Sequence, residues 1–184
     1  MLAFPPLLCY TLFMKYSYSA LYEKNAAFYN ARPLLKKGLF FLNLVLTLAF
    51  FVGYGAFVLC AIALEYPAED LTRILGAPAL CLFLVSLLRL AIYRPRPYSE
   101  NGADIIPLYP KKGSLEHSFP SRHVACALVI AITFLPYSVG AGICSIALGF
   151  LLSYVRFALG VHYPTDLLGG AILGTLCGML TFVF

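Results

Sequence analysis

The stretch Arg156-Phe157-Ala158-Leu159-Gly160-Val161-His162-Tyr163-Pro164-Thr165-Asp166 lies between two strongly apolar segments, roughly 139–155 and 167–184. Ionisable groups at such a boundary are costly to keep and mark function by default. The spacing is chemically suggestive. An imidazole can attack an electrophile, a carboxylate four residues on can hold the ring, and a guanidinium six residues back can grip an anion. Two more clusters of this kind precede it, Arg89-Leu90-Ala91-Ile92-Tyr93-Arg94-Pro95-Arg96-Pro97 and Ser118-Phe119-Pro120-Ser121-Arg122-His123.

The surrounding chain is that of a membrane protein. Of its 184 residues, 61% are hydrophobic and only 11% charged, with a mean hydropathy of +0.87. A soluble domain is nearer half apolar and a quarter charged. Several runs reach the ~18 apolar residues that suggest a spanning helix. The expected fold is an all-α, polytopic helical bundle of five to six transmembrane helices with an N-terminal interfacial amphipathic segment. Length alone suggests one domain over 1–184, with residues 1–37 as the N-terminal segment and 38–184 as a five-helix catalytic core. The cysteines are scattered without metal-ligand spacing and read as small apolar packing residues.

Residues 1–37 admit two readings. Tyr16 to Leu35 mixes aromatics and leucines with Lys24 and Arg32, which suits a helix at the headgroup level; the alternative is a first spanning helix followed by an interfacial piece. Gly38 to Leu64 is an uncharged span, and Glu65-Tyr66-Pro67-Ala68-Glu69-Asp70 an acidic turn. Leu71 to Tyr93 is the next span, stopped by Pro95 and Pro97. Arg89 and Arg96, seven apart, share a face if the helix continues that far. Residues 98–117 form a polar loop with Asn101-Gly102, Pro110, Lys111-Lys112 and His117. A helix is expected from Pro120 to about Thr133, placing Ser121, Arg122 and His123 at an N-terminus, where free amides favour an anion. After the turn at 135–138 comes a span at about 139–158. Gly160 permits a turn, and Pro164 opens the last helix with Asp166 in its first turn. Gly170, Gly174 and Gly178 repeat every fourth residue, a pattern that lets membrane helices approach closely. Counting spans puts all three clusters on one membrane face, with twelve of the thirteen basic residues, all but Arg73. An anionic headgroup is drawn to such a face.

In order and spacing the three clusters resemble the tripartite signature of the type 2 phosphatidic acid phosphatase superfamily. That signature is a basic residue, six others, Arg-Pro; then Pro-Ser-Gly-His; then Ser-Arg, five others, His, three others, Asp. The matching positions are Arg89, Arg96-Pro97, Pro120-Ser121, His123, Arg156, His162 and Asp166. Three positions depart: Arg89 stands for the usual Lys, Arg122 for Gly, and Val155 for the Ser before Arg156. The resemblance implies a metal-independent lipid phosphatase with no cofactor. His162 is the expected nucleophile, Asp166 its ring-holder and His123 the acid and base. Arg89, Arg96, Ser121, Arg122 and Arg156 are the expected phosphate cradle. The expected partners are a lipid phosphate and membrane lipids, not nucleic acid; oligomeric state is not readable. Substrate candidates are a polyprenyl diphosphate, phosphatidic acid and phosphatidylglycerol phosphate. The alternatives are a lipid phosphotransferase and a non-catalytic transporter or scaffold. The expected setting is the bacterial plasma membrane. Its outer face is implied by the resemblance, although the basic residues by themselves favour the cytoplasm.

Overall fold

The computed structural model describes residues 5–99, 103, 105–108 and 117–183, with side chains from residue 18 onward. Asn101-Gly102, Pro110 and Lys111-Lys112 of the polar loop lie outside the described residues, as do the side chains of Cys9 and Lys15. The regular secondary structure among the described residues is all helical: α1 (Pro5–Asn30), α2 (Pro33–Ala63), α3 (Ala68–Ala91), α4 (Arg122–Phe134), α5 (Val139–Ala158) and α6 (Pro164–Met179). A single 3₁₀ turn, Leu180–Phe182, extends α6. Four of these, α2, α3, α5 and α6 with its 3₁₀ turn, are long and apolar enough to cross a membrane. The chain is an integral membrane protein. Leu34, Phe41, Val52, Leu59, Phe83, Leu90, Phe150 and Leu168 are all exposed on the outside of the bundle, as lipid-facing residues should be.

The shortest apolar helix is the most enclosed. α4 has 13 residues, about 20 Å of rise, against a hydrocarbon core of about 30 Å. Val124, Ala125 and the run Ala127–Thr133 are nevertheless all buried, so α4 is the post around which α2, α3, α5 and α6 stand. It approaches α6 most closely, and the glycine repeat explains how. A Cβ placed on Gly170, Gly174 or Gly178 would lie 2.5 Å from the Ser121 carbonyl oxygen, 2.4 Å from that of Ala125 and 2.7 Å from Ile132 Cβ, respectively. The expected packing role of the repeat is what the helices show.

Several boundaries differ from the sequence expectation, among them the start of α3, which takes in Ala68, Glu69 and Asp70 of the expected acidic turn. α2 starts at Pro33 in its first turn, not at Gly38. Lys36 and Lys37 therefore lie inside the helix; lysine is a good helix former and can reach the headgroups from there. α4 starts at Arg122, not Pro120. Ser121, with extended backbone at φ −69° and ψ 110°, is its N-cap, and its N–H crosses to the Asp166 carbonyl at 2.9 Å. α3 ends at Ala91, with Ile92 extended, so Arg96 lies beyond the helix and does not share a helical face with Arg89. Residues 92–96 instead run back toward α4, where the Arg94 carbonyl accepts from Ser118 N–H at 2.8 Å.

Candidate active site

The α5–α6 connection is built to present one ring. Gly160 adopts φ +75°, and a Cβ there would lie 2.6 Å from the Tyr22 ring of α1. Both the backbone conformation and the space therefore require glycine. Asn25 of α1 donates to the Ala158 carbonyl at 2.9 Å, and Tyr22 Oη accepts from Leu108 N–H at 2.8 Å. Hence α1 lies over this connection, whatever its relation to the bilayer. Pro164 fills the first position of α6 and Asp166 the third, where a carboxylate can reach back to the capping amide. It does: Asp166 Oδ2 accepts from Tyr163 N–H at 3.0 Å.

That capping geometry turns the same carboxylate toward His162, whose Nδ1 lies 3.5 Å from Asp166 Oδ2. The separation is longer than a hydrogen bond, but the facing is that of a ring-holding carboxylate. With Nδ1 protonated toward Asp166, the lone pair of the neutral ring is on Nε2. His162 is 1% exposed. Burial pulls its pKa down to about 4; the Asp166 carboxylate opposes this, and the charges of Arg156 and Arg96 reinforce it. The ring is thus neutral, the nucleophilic form, at physiological pH.

Asp166 is also where the three clusters meet. It is fully buried. Its Oδ1 accepts from Arg94 Nη1 at 2.7 Å, its Oδ2 faces His162, and its carbonyl accepts from Ser121 N–H. The second cluster joins the third again where Arg156 Nη2 meets His123 Nδ1 at 3.1 Å. A guanidinium only donates, so Nδ1 of His123 is the acceptor and the ring proton belongs to Nε2. Arg156 is 8% exposed. Its Nη1 donates to Asn43 Oδ1 of α2 at 3.3 Å, which makes its burial tolerable.

The remaining predicted residues divide. Arg96 reaches the same connection, with Nη1 donating to the Val161 carbonyl at 3.4 Å. Ser121 Oγ is buried at the α4 N-terminus without a hydrogen-bond partner among the described residues. Arg122 is exposed beside it and makes no ion pair among the described residues. Arg89 is committed to the backbone: its guanidinium donates to the carbonyls of His117, Ser118 and Pro120. It therefore holds the segment that carries Ser121. A cavity of about 340 Å³ runs from Arg122 and His123 between walls that include Phe50, Phe51, Leu82, Ile130 and Leu152. Polar groups at one end and hydrocarbon along the rest suit an amphiphile.

Sequence reasoning missed Arg94 and Asn43. Arg94 lies two residues from Arg96 in a Pro-bracketed extended segment, where alternate residues point the same way. Asn43 is a lone amide in an apolar span, and such residues face the bundle interior.

A sequence model of the PAP2 superfamily matches residues 70–184, which contain all three clusters. The chain belongs to the PAP2 superfamily. Among its relatives it is 33% identical to the undecaprenyl-diphosphatase BcrC of Bacillus subtilis over 98 residues, 53% of this chain and 49% of that protein. It is 33% identical to a lipid A 1-phosphatase of Rhizobium johnstonii over 105 residues, 54% of this chain and 41% of the relative. The chain thus spans about half or less of the length of these curated relatives. Its fold resembles that of Aquifex aeolicus LpxE, with a TM-score of 0.65, 28% identity, and coverage of 88% of this chain and 94% of that one. A phosphatidylglycerolphosphate phosphatase of PAP2 type from Bacillus subtilis shares the fold with a TM-score of 0.63 at 23% identity, over 97% and 94% of the two chains.

Proposed function

We propose that this PAP2 protein is a membrane lipid phosphatase. It hydrolyses a phosphomonoester or diphosphate of a lipid through a phosphohistidine on His162, without a metal. The observation that carries the reading is the buried His162 ring facing the Asp166 carboxylate, with Arg156 paired to His123 in the same meeting of the three clusters, inside an integral membrane protein. Nε2 of His162 attacks phosphorus and the bond to the leaving oxygen breaks. In the occupied site the anionic phosphate favours the imidazolium form of His123, which gives a proton to that oxygen and is left neutral; the neutral ring then takes one from water as the water attacks the phosphohistidine. Asp166 stabilises the charge that forms on the His162 ring.

Arg156 and Arg96 hold the non-bridging oxygens through charge-assisted hydrogen bonds. The partnerless hydroxyl of Ser121 and the first amides of α4 add neutral donors. Arg89 contributes its charge while fixing the loop of Ser121, and Arg122 adds a cation at the cavity mouth. The cavity below takes the first part of the lipid chain. The names of the relatives support a polyprenyl diphosphate or another lipid phosphate as substrate, and phosphatidic acid and phosphatidylglycerol phosphate belong on the same panel. We place the site on the outer face of a bacterial plasma membrane; labelling of a single cysteine introduced at Tyr93 by an impermeant reagent on intact cells tests this.

The test of the activity is phosphate release by detergent-purified protein in EDTA, with His162→Ala alongside. Release by the wild type, none by the variant, and an acid-labile phosphoryl group trapped on His162 are expected. Near-normal turnover by His162→Ala refutes the nucleophile. Labelled acceptor in place of free phosphate would make the chain a phosphotransferase. A folded wild type that releases nothing and binds no vanadate refutes the enzymatic reading.

A further inference from the structure

We infer that Arg94 is a positioning residue for the His162 nucleophile, acting through Asp166 and not through the phosphate. The three arginines of the first cluster face different partners. Arg89 donates to three backbone carbonyls and Arg96 to the Val161 carbonyl. Arg94 makes an ion pair with the site carboxylate, its Nη1 2.7 Å from Asp166 Oδ1. Its guanidinium lies 4.6 Å from the centre of the Tyr163 ring, so its plane is held from a second side by a cation–π contact. Tyr163 is itself the residue whose N–H binds Asp166 Oδ2.

The carboxylate is therefore gripped at both oxygens by groups other than the histidine. Arg94 fixes Oδ1, the Tyr163 amide fixes Oδ2, and the remaining lone pair of Oδ2 is left for His162 Nδ1 at 3.5 Å. A carboxylate with its charge fully buried needs a compensating partner, and among the described residues Arg94 is the arginine or lysine within ion-pair distance. Without it Asp166 keeps the Tyr163 N–H at Oδ2 but loses its hold at Oδ1, so the carboxylate can tilt toward another donor and orients the ring less firmly. The guanidinium reaches Asp166 from the far side of the carboxylate, so it should contribute to the rate of phosphoryl transfer and not to phosphate affinity.

The inference rests on the phosphohistidine reading above. The experiment is a double-mutant cycle in the full-length protein: wild type, Arg94→Gln, Asp166→Asn and the double variant, each assayed for kcat, KM and vanadate inhibition. Arg94→Gln should lower kcat by roughly 10²-fold while KM and the vanadate constant change by less than about threefold. In the Asp166→Asn background the same substitution should cost less than about threefold, because residues acting through one another are non-additive. Arg94→Lys, which keeps the charge without the planar guanidinium, should recover part of the loss. If Arg94→Gln proves unstable by its thermal midpoint, Arg94→Lys enters the same cycle and must also be silent beside Asp166→Asn. A parallel loss of vanadate affinity makes Arg94 a phosphate contact and overturns the inference. So does an undiminished loss in the Asp166→Asn background, or a wild-type kcat for Arg94→Gln. A wild type with no phosphatase activity overturns the functional reading and this inference with it.

Discussion

The α4–α6 contact can be tested at Gly174. A Cβ there would lie 2.4 Å from the Ala125 carbonyl oxygen and 3.0 and 3.1 Å from Ala125 Cα and C. All three are backbone atoms of α4, so no side chain can swing aside. Ordinary contact begins at 3.4 Å, and restoring it from 2.4 Å requires the helices to part by about 1 Å. Overpacking of this kind costs about 1–3 kcal/mol. The same separation reaches the site, because Asp166 lies in the first turn of α6, and Ser121 caps the N-terminus of α4 where Arg122 and His123 begin it. A misplacement of about 1 Å can lower a rate by roughly 10²-fold. Gly174→Ala should therefore lower the thermal midpoint by a few degrees and kcat by one to two orders of magnitude, read by tryptophan-free thermal unfolding in detergent and by phosphate release. Gly53→Ala is the control: nothing lies within 4 Å of its added methyl, and a helical Gly→Ala change should stabilise by about 0.5–1 kcal/mol. A Gly174→Ala protein with wild-type midpoint and wild-type kcat would refute the close-packing argument.

The lowered pKa of His162, about 4 against an ordinary 6.5, makes a signed prediction. The ring should stay neutral from pH 8 to 5, and folded stability should fall as pH drops through the window from 6.5 to 4, where the unfolded chain binds the extra proton. With three histidines in the chain, NMR of ¹³C-labelled histidine can follow the ring directly, and a midpoint near 6.5 refutes the buried, neutral nucleophile. Arg122→Gly restores the family residue at an exposed position. It should leave the thermal midpoint unchanged while raising KM for an anionic lipid a few-fold, with the difference shrinking at high salt; a salt-independent effect argues against a charge role. Gly160→Ala combines φ +75° with a 2.6 Å approach to Tyr22, and should cost at least about 1 kcal/mol and lower kcat. Because Tyr22 is itself buried and stacked on Tyr18, the clash is read from the coupling of the two changes: Gly160→Ala should cost less stability in a Tyr22→Ala background than in the wild type, and an undiminished cost would point to backbone strain alone.

What was legible in the sequence depended on whether the signal was local. Apolar runs announced the spans, the glycine repeat announced a close helix contact on α6 without naming its partner, and the motif spacing placed His162 and Asp166 on either side of Pro164. The boundaries that differ were set by distant partners. Nothing in residues 118–123 indicates that Ser121 is extended with its amide on the Asp166 carbonyl, and α4 starts two residues later than expected. Likewise Arg89 reads as a phosphate ligand from its motif, yet its donors go to carbonyls 28 to 31 residues away. A motif fixes which residue is present but not which of its possible partners it takes.

Arg156 shows the same dependence in the energetics of the site. A guanidinium that is 8% exposed in an apolar bundle is unfavourable unless its donors are used. Two of them are used by residues from helices that its own sequence neighbourhood does not contain, Asn43 of α2 and His123 of α4. The charge is thereby held in place before any anion arrives, and the proton of the neutral His123 ring is assigned to Nε2. Asn43, which no phosphatase motif includes, thus bears on both phosphate grip and proton placement. Asn43→Leu should leave the α2 span intact, since the change is apolar within an apolar run. It should instead leave Arg156 Nη1 without its partner, which costs about 1–3 kcal/mol for a buried donor, and more for a charged one. The expected result is weaker vanadate inhibition together with a lower kcat. An Asn43→Leu protein that binds vanadate as the wild type does would mean that Arg156 keeps its orientation without Asn43.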